Sequence, residues 1–132
     1  KAIFTSDAAP CPFERIDKLA MPSPQYDFTL YLESLTKLTT YDVDICGFDH
    51  FAAVIGPEAK QVLLNGLRMS EDYGKRIVAL YEKEKDLEKV SRMIAHERLE
   101  VDNFGFLNED VMMPVARAEV RNILKASGIK AG

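Results

Sequence analysis

The stretch Tyr41-Asp42-Val43-Asp44-Ile45-Cys46-Gly47-Phe48-Asp49-His50-Phe51, continued by Ala52-Ala53-Val54-Ile55-Gly56-Pro57-Glu58, decides how this chain is read. Val43, Ile45 and their neighbours form a β-rich run, which predicts a short strand over 43–48 that leads into Asp49 and His50. Gly56-Pro57-Glu58 then opens a helix. Proline presets the first turn, and the acid sits where the helix dipole favours negative charge. Upstream, Lys1-Ala2-Ile3-Phe4-Thr5-Ser6-Asp7 is another β-rich run with an acid at its carboxyl end. It predicts a buried strand over 2–6, in the same sheet as the strand at 43–48. Between the two strands, Pro10, Pro12, Pro22 and Pro24 mark a loop, with room for a single helical turn over 13–19. Ser23-Pro24 then supplies a cap for a helix whose Phe28, Tyr31, Leu32, Leu35 and Leu38 recur at spacings of three and four. Thr39-Thr40 ends it with β-branched residues.

Downstream of Pro57 the pattern is helical throughout. Val62, Leu63, Leu67, Tyr73, Ile77, Leu80 and Tyr81 mark a long helix that reaches about Lys85 and tolerates Gly66 and Gly74. Leu87, Val90, Met93, Ile94 and Val101 mark a shorter helix. Beyond a turn at Asn103-Phe104-Gly105-Phe106, Val115, Val120, Ile123 and Leu124 mark a last one, with Gly128 at its stop. The expected organisation is a single α/β (α+β) domain over 1–132, with strand–helix–strand in 1–56 and helices in 57–132.

With 17 basic and 21 acidic residues the net charge is −4, and no basic cluster breaks it. Mild acidity of this kind argues against nucleic acid or an anionic membrane as partner. No apolar run approaches the roughly 18 residues of a membrane span. Two cysteines, Cys11 and Cys46, are too few for a disulfide scaffold, so the expectation is a reducing, cytoplasmic setting. The chain opens on Lys1 rather than Met, which reads as a portion of a longer chain or one whose start has been removed.

No nucleophile elbow, phosphate-binding glycine loop or Cys-x-x-Cys pair is present. His96-Glu97-Arg98-Leu99-Glu100 lacks the second histidine of a zinc helix and reads as a solvated face. The informative positions are the two strand ends. Strand carboxyl ends are where layered α/β proteins build sites, and a carboxylate and an imidazole can share a divalent metal. Asp7 and His50 are therefore the candidate ligands. Taken by themselves, Asp7 also fits a turn cap and His50 an ordinary loop residue.

The run Tyr31-Leu32-Glu33-Ser34-Leu35-Thr36-Lys37-Leu38, then Tyr41-Asp42-Val43-Asp44-Ile45, then Phe48-Asp49-His50-Phe51 and Val54-Ile55-Gly56-Pro57-Glu58-Ala59 resembles the metallo-β-lactamase-fold superfamily. Ile3-Phe4-Thr5-Ser6-Asp7 is similar to that family's "lftGD" strand, with Ser6 in the place of the glycine. Phe48-Asp49-His50-Phe51 stands where the family usually has "PGHG". The resemblance covers most of the chain, residues 1–100 closely and the tail loosely. The family's H-x-H-x-D-H motif and its middle histidine are missing, since His50 and His96 are the only histidines.

That resemblance implies the carboxyl-terminal half of an αββα sandwich, with short strands and several helices. It implies a metal-dependent hydrolase in which Asp7 bridges two metals and His50 binds the second. Zinc is expected first, with iron or manganese as alternatives. Phe48, Phe51, Cys11 and Pro12 would line the entrance for a small-molecule substrate. The implied partner is a complementary amino-terminal half carrying H-x-H-x-D-H, or a second copy of the chain. On this reading the isolated chain has no hydrolase activity. The alternative is a non-catalytic helical interaction module of a larger complex, docking through the helices beyond Pro57.

Overall fold

The structure, a computed structural model, describes residues 1–50, 52–102 and 105–131. It is a mixed α/β chain ordered β1 (Ala2–Phe4), α1 (Phe28–Thr39), β2 (Ile45–Gly47), β3 (Ala53–Ile55), α2 (Glu58–Glu84), α3 (Leu87–Asp102) and α4 (Glu109–Ala126), with a 3-10 turn at Ser6–Ala8. None of the described helices is long and apolar enough to cross a membrane. Two compact units divide the chain: Lys1–Ser23 with Leu30–Glu71, and Pro24–Thr29 with Asp72–Gly132. The division falls inside α2.

In the first unit β1 pairs parallel with β2, in the register Ile3 to Cys46, and β2 pairs antiparallel with β3, Cys46 to Val54. Because side chains alternate across a strand, this register sends Ile3, Cys46 and Val54 to one face. There they pack with Leu35 of α1 and with Ala59, Val62 and Leu63 of α2. The other face carries Ala2, Phe4, Ile45, Gly47, Ala53 and Ile55, all apolar. Phe4 covers Gly47 so closely that a β-carbon there would lie 2.6 Å from its ring. That contact explains a glycine inside a strand.

The expected strands at 2–6 and 43–48 are present in shortened form in one sheet, and β3 is an addition the sequence reading missed. The expected helical turn over 13–19 is instead a bridged loop. Pro12 and Leu19 form an antiparallel bridge, and the Phe13 N–H donates to the Lys18 carbonyl at 3.0 Å. The Ser23-Pro24 cap is also corrected, because α1 starts at Phe28. The Asn122 side-chain amide donates to the carbonyls of Pro24 and Gln25, which holds that segment in non-helical backbone.

The second unit is helical. Asp86 caps α3 by accepting from the Lys89 N–H at 3.0 Å, and Asn108 caps α4 by accepting from the Val111 N–H at 3.1 Å. At its far end α4 closes in a Schellman turn, with Gly128 at φ +74°, Gly128 N–H donating to Lys125 and Ile129 N–H to Leu124. Gly74 in α2 is a packing requirement: a β-carbon there would lie 2.5 Å from the ring of Phe28.

The interior of this unit also holds charge. Arg98 grips both carboxylate oxygens of Glu119 at 2.9 Å, Tyr73 donates to Glu119 at 2.9 Å, and Asp102 lies 3.4 Å from Arg98. Burial works against the Arg98 charge, but Glu119, Tyr73 and Asp102 outweigh it and hold its pKa above the ordinary arginine value. Burial and the Glu119 charge push the Tyr73 hydroxyl up, so it stays a donor.

Removing one partner of such a pair leaves a buried charge without compensation. Arg98→Met should therefore cost about 3–5 kcal/mol of stability, and Glu119→Leu in the same chain should recover most of it. Urea denaturation followed by circular dichroism measures both. A loss from Arg98→Met below about 1 kcal/mol, the value of an exposed pair, would contradict the buried-pair account.

Candidate metal centre

Parallel strands bring their carboxyl ends to one edge of a sheet, and the first unit's site is built on that fact. The β1–β2 ladder continues through the Thr5 N–H, which donates to the Gly47 carbonyl at 2.9 Å. Thr5 is buried, and the chain leaves it through the 3-10 turn that carries Asp7. Asp7 thus lies three residues past the end of β1, not at the strand end itself. Ser6 turns the chain with φ +46°, in the left-handed region that favours glycine.

On the neighbouring strand the Phe48 N–H donates to the Ala52 carbonyl at 3.0 Å, which closes the tight connection between β2 and β3. Asp49 and His50 sit in that connection. One ligand atom from each of Asp7, Asp49 and His50 lies within 4.8 Å of the others, and all three residues are exposed. Within the group, the Ser6 hydroxyl donates to Asp49 at 3.4 Å, and the His50 Nε2 is 3.5 Å from the same Asp49 oxygen.

The donor set is two carboxylates and an imidazole, which suits zinc, iron or manganese. A tetrahedral ion with bonds of about 2.1 Å holds its ligand atoms about 3.4 Å apart. The three ligand atoms, within 4.8 Å of one another on exposed side chains, would close to that spacing around a bound ion. Three protein donors are also the number found in catalytic zinc centres, which keep one position open.

The structure thus brings Asp7 and His50 together and adds Asp49, which the sequence reading passed over as a replaced glycine. Its adjacency to His50 was the available signal. Of the expected pocket residues, Pro12 lines a cavity of about 760 Å³ between residues 12–17 and 52–58. Cys11 lies beside the loop that carries Asp49 and His50, its thiol donating to the His50 carbonyl at 2.7 Å. Phe48 is partly buried and packs against the hydrophobic core of the first unit. Phe51 lies outside the described residues. In the second unit, His96 makes a surface pair with Glu109 at 3.0 Å.

Comparison of the chain with protein-family models, with curated proteins and with solved structures gave no match in any of the three.

The thiols differ in a testable way. Burial pushes Cys46 up to about 11. Burial, and then the charge of Asp49, also raise Cys11, which is only partly covered. Since the thiolate is the reactive form, an aromatic disulfide reagent at about pH 8 should label Cys11 slowly and Cys46 only on unfolding. The Cys11 rate should climb as pH rises above the ordinary thiol range. Two equally fast thiols in the native chain would contradict this assignment.

Proposed function

We propose that this chain is the carboxyl-terminal portion of a metal-dependent hydrolase of the metallo-β-lactamase fold, and that Asp7, Asp49 and His50 hold a divalent ion in it. The observation that carries this reading is the meeting of Asp7 with His50. The resemblance implies those two residues as ligands, and their ligand atoms lie within 4.8 Å of each other. Two further features support it. The residue standing in place of the family's glycine, Ser6, has φ +46°, a conformation in which glycine is favoured. The sheet face turned away from the helices is apolar and open, with Phe4 83% and Ile55 70% exposed. In an αββα sandwich that face is covered by the second sheet, which here would come from a complementary half or from a second copy.

Zinc is the expected ion, with iron or manganese as alternatives. Such an ion supplies Lewis acidity toward water and toward the carbonyl or phosphoryl oxygen of a small-molecule substrate. The carboxylates of Asp7 and Asp49 offset its charge, and His50 offers a neutral nitrogen. All three bind in their deprotonated forms, so acid competes with loading. Cys11 orients the loop by holding the His50 carbonyl.

Loading the chain with zinc, manganese or iron and measuring retained metal after dialysis tests the site. Stoichiometric metal is expected, and His50→Ala or Asp7→Asn should abolish it. Hydrolysis of esters, lactones or phosphodiesters is expected only after an amino-terminal half carrying H-x-H-x-D-H is added. A chain that assembles with its partner yet holds no metal would favour the non-catalytic helical module. Metal-dependent turnover by the isolated chain would mean that the site lies elsewhere.

A further inference from the structure

The outer edge of β3 offers a different kind of site. In its ladder with β2, the Phe48 N–H donates to the Ala52 carbonyl and the Gly56 N–H donates to the Asp44 carbonyl at 2.7 Å. Antiparallel pairing alternates, so the backbone groups at 52, 54 and 56 face β2 and those of Ala53 and Ile55 face outward. The strand order is β1-β2-β3, which leaves β3 at the margin, and among the described residues no strand lies beyond it. The margin presents two donors and two acceptors, spaced by two residues, about 6.8 Å, the repeat of an extended strand.

This edge does not open onto bare solvent. It forms one wall of the cavity of about 760 Å³, whose opposite side includes Phe13 and Ile16. The cavity's charged lining is Glu14, Asp17 and Glu58 against Arg15. Arg15 is held by Asp17, its Nε donating at 2.9 Å, and Glu14 lies 3.7 Å from Lys18, so the charge left over in the lining is that of Glu58. Asn65 is fixed in place, its amide donating to the Ile16 carbonyl at 2.9 Å.

An extended backbone satisfies the open edge, alternate apolar side chains suit the wall, and a cation suits Glu58. We propose that this groove docks an extended peptide strand of a partner protein, carrying lysine or arginine among apolar residues, as an added strand beside β3. A second copy of this chain fits less well, because it would bring a second Glu58 rather than a cation to the groove. The proposal stands apart from the metal centre and does not depend on it.

The test uses a fluorescein-labelled peptide of alternating lysine and valine, its glutamate–valine counterpart, and a lysine–valine version N-methylated on the pairing edge. Binding is read by fluorescence anisotropy. Saturable binding of the lysine–valine peptide is expected, with no binding of the glutamate version. N-methylation should weaken it by about tenfold or more, the value of a lost hydrogen bond at an edge. Ile55→Pro should do the same, since it removes only an outward N–H and proline is tolerated at sheet edges. Glu58→Lys should also weaken binding, and it leaves the strand backbone untouched.

Absence of saturable binding by the lysine–valine peptide would overturn the proposal, as would equal binding of the N-methylated version. That second comparison holds even if Ile55→Pro fails to fold. A dimer in sedimentation that Ile55→Pro converts to monomer would overturn it too, by giving the edge to a second copy.

Discussion

The parallel pairing of β1 with β2 is the constraint on which the first unit depends. Three residues of each strand are in register, Ala2 to Ile45 and Phe4 to Gly47, and the Thr5–Gly47 hydrogen bond extends the ladder by one step. Parallel strands end on the same side, so this short ladder carries the turn after β1 to the loop after β2. A slip of β1 by one residue would turn Ile3 out of the core and bring Phe4 in. It would also move Asp7 by about 3.3 Å along the strand direction, relative to Asp49 and His50. The same register therefore sets both the core and the site. α1 makes the pairing possible, because a parallel connection needs a crossover of a dozen or more residues.

The candidate metal centre and the proposed docking groove both stem from the β2–β3 connection, though different groups build them. Side chains at 49 and 50 face Asp7. Backbone groups at 53 and 55 face the groove. Cys11 ties the two neighbourhoods together, because its thiol holds the His50 carbonyl while its neighbour Pro12 lines the cavity. The hairpin at 12–19, closed by its Pro12–Leu19 bridge, is thus a support for the ligand loop as well as a wall.

Much of this was legible in the sequence, and what was missed has physical reasons. The strands around Ile3 and Ile45 and the long helices stood out because their apolar residues repeat at the right spacing. β3 did not, since three residues are too few for a period and Gly56-Pro57 drew the reading toward the helix. Asp7 and His50 were singled out by position after β-rich runs, and by resemblance, and the fold brings them together. Asp49 was passed over because it was seen as a lost glycine rather than as a carboxylate beside a ligand. Arg98 was read with its neighbours as part of a solvated face, and only packing reveals that it and Glu119 bury each other. Ser23-Pro24 looked like a cap, but Asn122, distant in sequence, takes the carbonyls of that segment.

The central claim is that β1 and the β2–β3 loop present their ligands to one and the same ion. A double-mutant cycle on zinc affinity, measured by titration calorimetry with Asp7→Asn, His50→Ala and both together, tests it most directly. Ligands of one ion act as a unit, so each single change should lower affinity steeply and the pair should be little worse than the weaker single variant. Losses that simply add, or affinity unchanged by Asp7→Asn, would contradict the account and separate the two strand ends into unrelated surfaces.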